Sequence, residues 1–145
     1  MTTRKEDDRL IRANIAVRDK IISEIDKFLI ERGYRPKNKS KTRFAKNNFL
    51  HVIFNSTEGS LLSDAEYTLP TVFEAKAKGE IPFEICDMFP TCFQYPDEGN
   101  YRWLKRVTLR TSSAKPRVLA RQVDRIYDEL TAAIEPYKNI LIRFH

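Results

Sequence analysis

Glycine is scarce in this chain, with four residues in all, and no two of them are close. Gly33, Gly59, Gly79 and Gly99 stand alone. No glycine-rich loop exists to cradle phosphates, which argues against a nucleotide-binding enzyme. Cysteine is scarcer still. Cys86 and Cys92 lie six apart with no histidine beside them, which is no zinc site; they read as reduced thiols of a cytosolic protein. Histidine is limited to His51 and the terminal His145. A serine or cysteine nucleophile needs a base within reach, and His51 sits inside an apolar stretch, where it reads as a hydrogen-bonded core residue. No apolar run approaches the roughly 18–20 residues that span a bilayer. The opening residues MTTRKEDDR carry no apolar segment behind their charges and are no secretory signal. The expectation is a cytoplasmic protein with no catalytic residues, no metal, no cofactor and no membrane contact.

What the chain does have is charge in blocks. Residues 32–46 carry seven Lys/Arg and no acid. Residues 57–100 carry nine Asp/Glu against Lys76 and Lys78. Residues 101–125 carry eight Lys/Arg against Asp124 alone. Such blocks describe surfaces and partners rather than a fold. The length of 145 residues and 41% hydrophobic content suit one globular domain over residues 1–145, with neither linker nor internal repeat.

Apolar spacing predicts a helix over Arg9–Arg32, with Ile11, Ile15, Ile22, Ile25 and Leu29 on one stripe that Ile21 and Phe28 widen. Asp7 or Asp8 is the expected cap, and Gly33 suits the left-handed residue past the end. Lys41–Lys46 and Phe49–Asn55 read as a hairpin around an Asn47-Asn48 turn, with the second strand apolar on both faces and hence central. Glu66–Ala75 reads as a strand that Pro70 confines to an edge or a bulge; a short helix over Thr71–Lys78 is the alternative. Residues 80–100, broken by Pro82, Pro90 and Pro96, read as irregular. Tyr101–Thr111 alternates cleanly, with Tyr101, Trp103, Val107 and Leu109 on one side and Arg102, Arg106 and Arg110 on the other. A second helix starts near Pro116, with Ser113 near its cap, carries a stripe from Leu119 to Tyr137, and ends or kinks at Pro136. Ile140–Phe144 reads as a helix continuation or a last strand. The expected fold is α+β: an antiparallel sheet of three to five strands packed with two long amphipathic helices, one N-terminal and one C-terminal.

The stretch IDKFLIERGYRPKNKSKTRFAKNNFLHVIFNST, residues 25–57, joins a helix ending in Gly plus an aromatic to a basic loop and an apolar hairpin strand. With the later Trp103 strand and terminal helix, this order resembles small bacterial domains of unknown function in the group that includes contact-dependent toxin-immunity proteins. The resemblance implies a non-enzymatic partner-binding domain and carries over no functional residues.

Four constellations bear on function. Arg35, Lys37, Lys39, Lys41 and Arg43 occupy alternate positions, as do Arg102, Arg106 and Arg110 at wider spacing. In one sheet these cations make a positive face for an acidic protein or for nucleic-acid phosphates; alone, they are solvated edge residues that block aggregation. The acidic, aromatic stretch 80–100 reads either as a lid over the core or as a docking surface, in which Phe83, Phe89, Phe93 and Tyr95 anchor a protein partner inside a rim of Glu84, Asp87, Asp97 and Glu98. Asp64 followed by Glu74-Ala75-Lys76 matches the carboxylate-x-lysine pattern of Mg²⁺-dependent nucleases, a pattern short enough to arise by chance. His51 is the fourth. The leading expectation is an immunity or inhibitor protein that occludes a protein partner by charge-complementary contact. A nucleic-acid-binding module is the alternative, with a metal nuclease behind it.

Overall fold

A computed structural model describes residues 4–54, 60–63, 66–95, 99–112 and 115–145. The chain runs α1 (Arg4–Glu31), β1 (Arg35–Pro36), β2 (Arg43–Asn47), β3 (Leu50–Phe54), β4 (Ser60–Ser63), β5 (Glu66–Ala77), β6 (Thr91–Gln94), β7 (Tyr101–Ser112), α2 (Pro116–Ile134) and β8 (Leu141–Ile142). All strand pairings are antiparallel. The fold is α+β, as expected, but the sheet is larger than three to five strands. Six strands form the path β1-β2-β3-β5-β7-β6, and β4 and β8 also pair with β5. Only α1, at 28 residues, is long; α2 has 19 and passes at Pro136 into a 3-10 turn, Glu135–Tyr137.

The helix α1 begins earlier than its apolar stripe, at Arg4, so Asp7 and Asp8 lie inside it rather than capping it. Its C-terminus follows the sequence closely. Gly33 takes φ +92°, its amide donates to Ile30 O and the Tyr34 amide donates to Leu29 O, a Schellman ending that satisfies two orphan carbonyls. Ile21, Ile22, Ile25 and Leu29 are buried; the side chains of Ile11 and Ile15 lie outside the described ones. In α2, Leu119, Val123, Tyr127, Leu130 and Ile134 are buried, with Arg117, Arg121 and Arg125 exposed on the far side. Lys115 is its N-cap residue; Ser113 lies outside the described residues.

Both helices pack together on one face of the sheet, over Phe44, Leu50, Val52, Phe54, Leu69, Phe73, Trp103 and Leu109. The centre of the sheet is β5, which pairs with β7 over twelve unbroken positions from Glu66↔Ser112 to Ala77↔Tyr101. Pro70 therefore sits in a central strand, not at an edge. On the other side of β5 the β3 ladder stops at Thr71 and the β4 ladder begins at Thr68. Pro70 falls in that interruption, where a residue without an amide proton costs least.

The hairpin turn is displaced by one residue. Asn47 pairs with Leu50, leaving Asn48 and Phe49 as the turn, because the Asn47 side-chain oxygen accepts the amides of Phe49 and Leu50. Neither asparagine needs positive φ; among the described non-glycine residues only Lys41 has one. The β2–β3 ladder slips between Phe44 and Asn47, and the Tyr127 hydroxyl repairs the slip. It accepts the amides of Lys46 and Asn47 at 3.0 and 2.9 Å and donates to Leu50 O at 2.7 Å. Three backbone groups freed by the bulge are thus satisfied from α2.

Residues 80–100 are more regular than expected. They hold a 3-10 turn, Phe83–Ile85, and the edge strand β6, whose Cys92 and Phe93 pair with Trp103 and Arg102. Cys86 and Cys92 are free thiols. The tail forms β8 against Lys76 and Ala77, and the Phe144 amide then donates to Asn48 O at 2.7 Å.

Candidate functional site

The sheet face away from the helices is where the register brings the charge together. Successive cross-strand rows read Arg43–Ile53–Val72–Arg106, then His51–Glu74–Leu104–Thr91, then Lys76–Arg102–Phe93. Cross-strand partners share a face, so these side chains all project to the same side. Arg110, opposite Thr68, continues the alternation beyond Arg106. Lys37, whose amide donates to Arg43 O, lies close enough to His51 to influence its protonation. Lys37, Arg43, Arg102, Arg106 and Arg110 therefore form one basic face out of two segments of the chain some sixty residues apart.

Three members of the expected ladder do not join it. Arg35 lines a separate groove with Lys46, Phe49 and Thr131 of α2. Lys39 is exposed in the turn before β2. Lys41 is turned away by its φ of +54°, and its ammonium meets Asp26 of α1 at 3.4 Å. The Asn38 side-chain oxygen accepts the amides of Thr42 and Arg43 and holds this loop in shape.

At the middle of the face lies Glu74, only 2% exposed. Arg102 donates to one of its oxygens, and Arg43 Nη1 stands 3.7 Å from the other. Arg43 Nη1 also approaches His51 Nδ1 at 3.2 Å. An arginine only donates, so Nδ1 accepts and the His51 proton sits on Nε2. Burial first, then the cations Arg43 and Lys37, push His51 down to about 4. The Phe144 ring stacks on the imidazole, with centroids 3.8 Å apart. On its outer side Arg102 lies over the rings of Phe93 and Tyr95, at 5.1 and 5.3 Å, and Lys76 lies over Tyr95 at 5.0 Å.

The histidine makes stability depend on pH. The folded state keeps His51 neutral down to about pH 4, while an unfolded histidine takes up its proton near 6.5. Below pH 6.5 the unfolded chain binds more protons, so this stability is complete above 6.5 and is lost as pH falls toward 4. The expected loss over that window is about 3 kcal/mol. Urea midpoints between those pH values should fall more steeply for the wild type than for His51→Gln; equal slopes would remove His51 as the cause.

The acidic-aromatic patch expected over residues 80–100 is not one surface. Phe89 is fully buried against Trp103, with ring centroids 6.1 Å apart, so it serves as a core lid and not as a docking anchor. Phe83 is 88% exposed, with Glu84 and Asp87 exposed beside it. Phe93, at 39%, and the half-buried Tyr95 belong to the basic face instead. Asp97 and Glu98 lie outside the described residues, as does Asp64 of the nuclease pattern. Glu74 and Lys76 do share a face, yet the Glu74 carboxylate is taken by two guanidinium groups. Among the described residues no three His, Cys, Asp or Glu side chains gather as metal ligands. No described helix is long and apolar enough to cross a membrane.

Comparison with protein-family models, with curated proteins and with solved structures finds no match to this chain. The geometry of the face is accordingly the basis for a functional reading. Sequence reasoning found its arginines but not Glu74 as their shared counter-ion, nor the apolar floor of Ile53, Val72 and Leu104 between them. Leu104, between arginines in sequence, was the available signal: a strand face that carries a buried leucine is not simply solvated.

Proposed function

We propose that this chain is a non-enzymatic binding domain of the cytoplasm that occludes an acidic protein surface with its basic sheet face, in the manner of an immunity or inhibitor protein. The observation that carries this reading is the cross-strand alignment of Arg43, Arg102, Arg106 and Arg110, with Lys37 bonded through its amide to Arg43 O, around the buried Glu74, which two of these arginines engage. Lys37 and Arg106 are exposed on this face, where their charge speeds association with an acidic partner and rejects basic ones. A nucleic-acid module is the second reading, favoured by Phe93 on a basic open sheet. Against it, Arg102 and Lys76 already cover the Phe93 and Tyr95 rings, which leaves less ring surface for bases.

The test is a pull-down with tagged protein, treated with nuclease, comparing wild type with Arg106→Glu/Arg110→Glu and with Arg121→Glu/Arg125→Glu. Both doubles change the net charge equally, but the second alters the exposed side of α2. The expected result is one acidic protein at near-stoichiometric yield, lost with the first double and kept with the second. Recovery of nucleic acid alone, and only without nuclease, would transfer the function to the second reading. A protein partner lost equally with both doubles would reject this face as its site.

A further inference from the structure

The basic face is not uniform. Between β2 and β6 it sinks into a groove of about 370 Å³, with Ile53, Val72 and Leu104 as the floor and Arg43, Arg102 and Arg106 as the rim. A plain electrostatic surface needs no such floor. A phosphate-binding surface does not use one either, since phosphate contacts are polar throughout. The rim is also built in advance. Glu74 holds Arg43 and Arg102 by their outer nitrogens, so these two long side chains lose little further freedom on binding. Arg106 makes no ion pair with any described residue, and its planar fork is available to an incoming acid. Arg102 Nε is buried and unpaired among the described residues.

From these features we infer that the groove is the anchor point of the face and takes a carboxylate borne beside an apolar body: in the protein partner, an Asp or Glu next to an aliphatic side chain. The carboxylate bonds with the Arg106 fork in two-pronged fashion, and the aliphatic group covers Ile53, Val72 and Leu104. That the occupant is a protein segment rests on the function proposed above; the preference for an apolar carboxylate does not.

The experiment uses isocaproate, a leucine-like chain ending in a carboxylate, against three probes that each lack one half: acetate, inorganic phosphate and isocaproamide. Binding is read from the NMR shifts of the Ile53, Val72 and Leu104 methyl groups and the arginine Nε signals of the full chain. Isocaproate is expected to saturate in the millimolar range and to bind about tenfold more tightly than each control, a difference of about 1.4 kcal/mol. Arg106→Lys keeps the charge but loses the fork, and is expected to weaken isocaproate about tenfold. Arg117→Lys on α2 should leave binding unchanged. Acetate or phosphate binding as tightly as isocaproate would make this an ordinary anion site and overturn the inference. Equal binding of isocaproamide, or no saturation by any probe, would overturn it as well. If isocaproate behaves as stated while the pull-down fails, the groove stands and the protein-partner reading falls; the opposite pattern keeps the face and removes the groove.

Discussion

Glu74→Ala is expected to cost about 3–5 kcal/mol of stability, a large share of what a domain of this size has. The carboxylate is at the centre of the sheet, in the strand that pairs on both sides, and is nearly inaccessible to water. Its removal leaves Arg43 and Arg102 facing each other with no counter-charge, and their side chains are only 32% and 25% exposed. The loss should therefore exceed that of a surface ion pair, about 0–1 kcal/mol, by a wide margin. Removing all three charges is a different experiment. Glu74→Leu with Arg43→Leu and Arg102→Leu should recover much of the stability, because an apolar replacement of a buried ionic group is often neutral or better. It should not recover the partner capture proposed for this face. Urea unfolding of both variants decides the matter: a loss below about 1 kcal/mol in Glu74→Ala would mean that the pair behaves as a solvated bridge.

On the opposite face, Trp103→Ala should also cost about 3–5 kcal/mol. Trp103 is fully buried where the lid meets the sheet. It packs against Phe89 and Tyr137, and its indole N–H donates to Gly79 O at 3.2 Å. Alanine loses the ring contacts and leaves the carbonyl unpaired. Phenylalanine retains part of the packing and should cost clearly less. The comparison that makes the result informative is Phe93→Ala. Phe93 is one position along from the strand partner of Trp103 and faces the other way. It should change the midpoint by less than half of the Trp103→Ala effect, consistent with its exposure. Similar losses at both positions would contradict the assignment of one face to the core and the other to solvent.

Much of this fold was legible because its signals are local. The alternation in Tyr101–Thr111, the apolar stripe of α2 and the Gly33-Tyr34 ending each depend on neighbours a few residues away. The errors arose where distant segments decide. Pro70 marks an edge only if its neighbouring ladder is continuous, and the gap between the β3 and β4 pairings cannot be seen in one strand. β6 is only four residues long in a stretch flanked by Pro90 and Pro96, and its pairing with β7 gives it the strand conformation. Glu74 lies 28 positions from Arg102 in sequence and 31 from Arg43, so the cluster exists only in the register. The ladder through Lys41 failed for a local reason: its left-handed backbone breaks the alternation on which the reading relied.

The Tyr127 hydroxyl also has a kinetic meaning. It completes the β2–β3 hairpin from about eighty residues downstream. A hairpin normally gathers its own bonds within microseconds, before distant chain is involved. Here the Lys46 and Asn47 amides and the Leu50 carbonyl are bonded by the Tyr127 hydroxyl, so the native register at the bulge waits on the arrival of α2 and on the closure of a long loop. The first hairpin in the chain is thus expected to be among the last elements to lock, with the rows of the basic face aligning only at that final step.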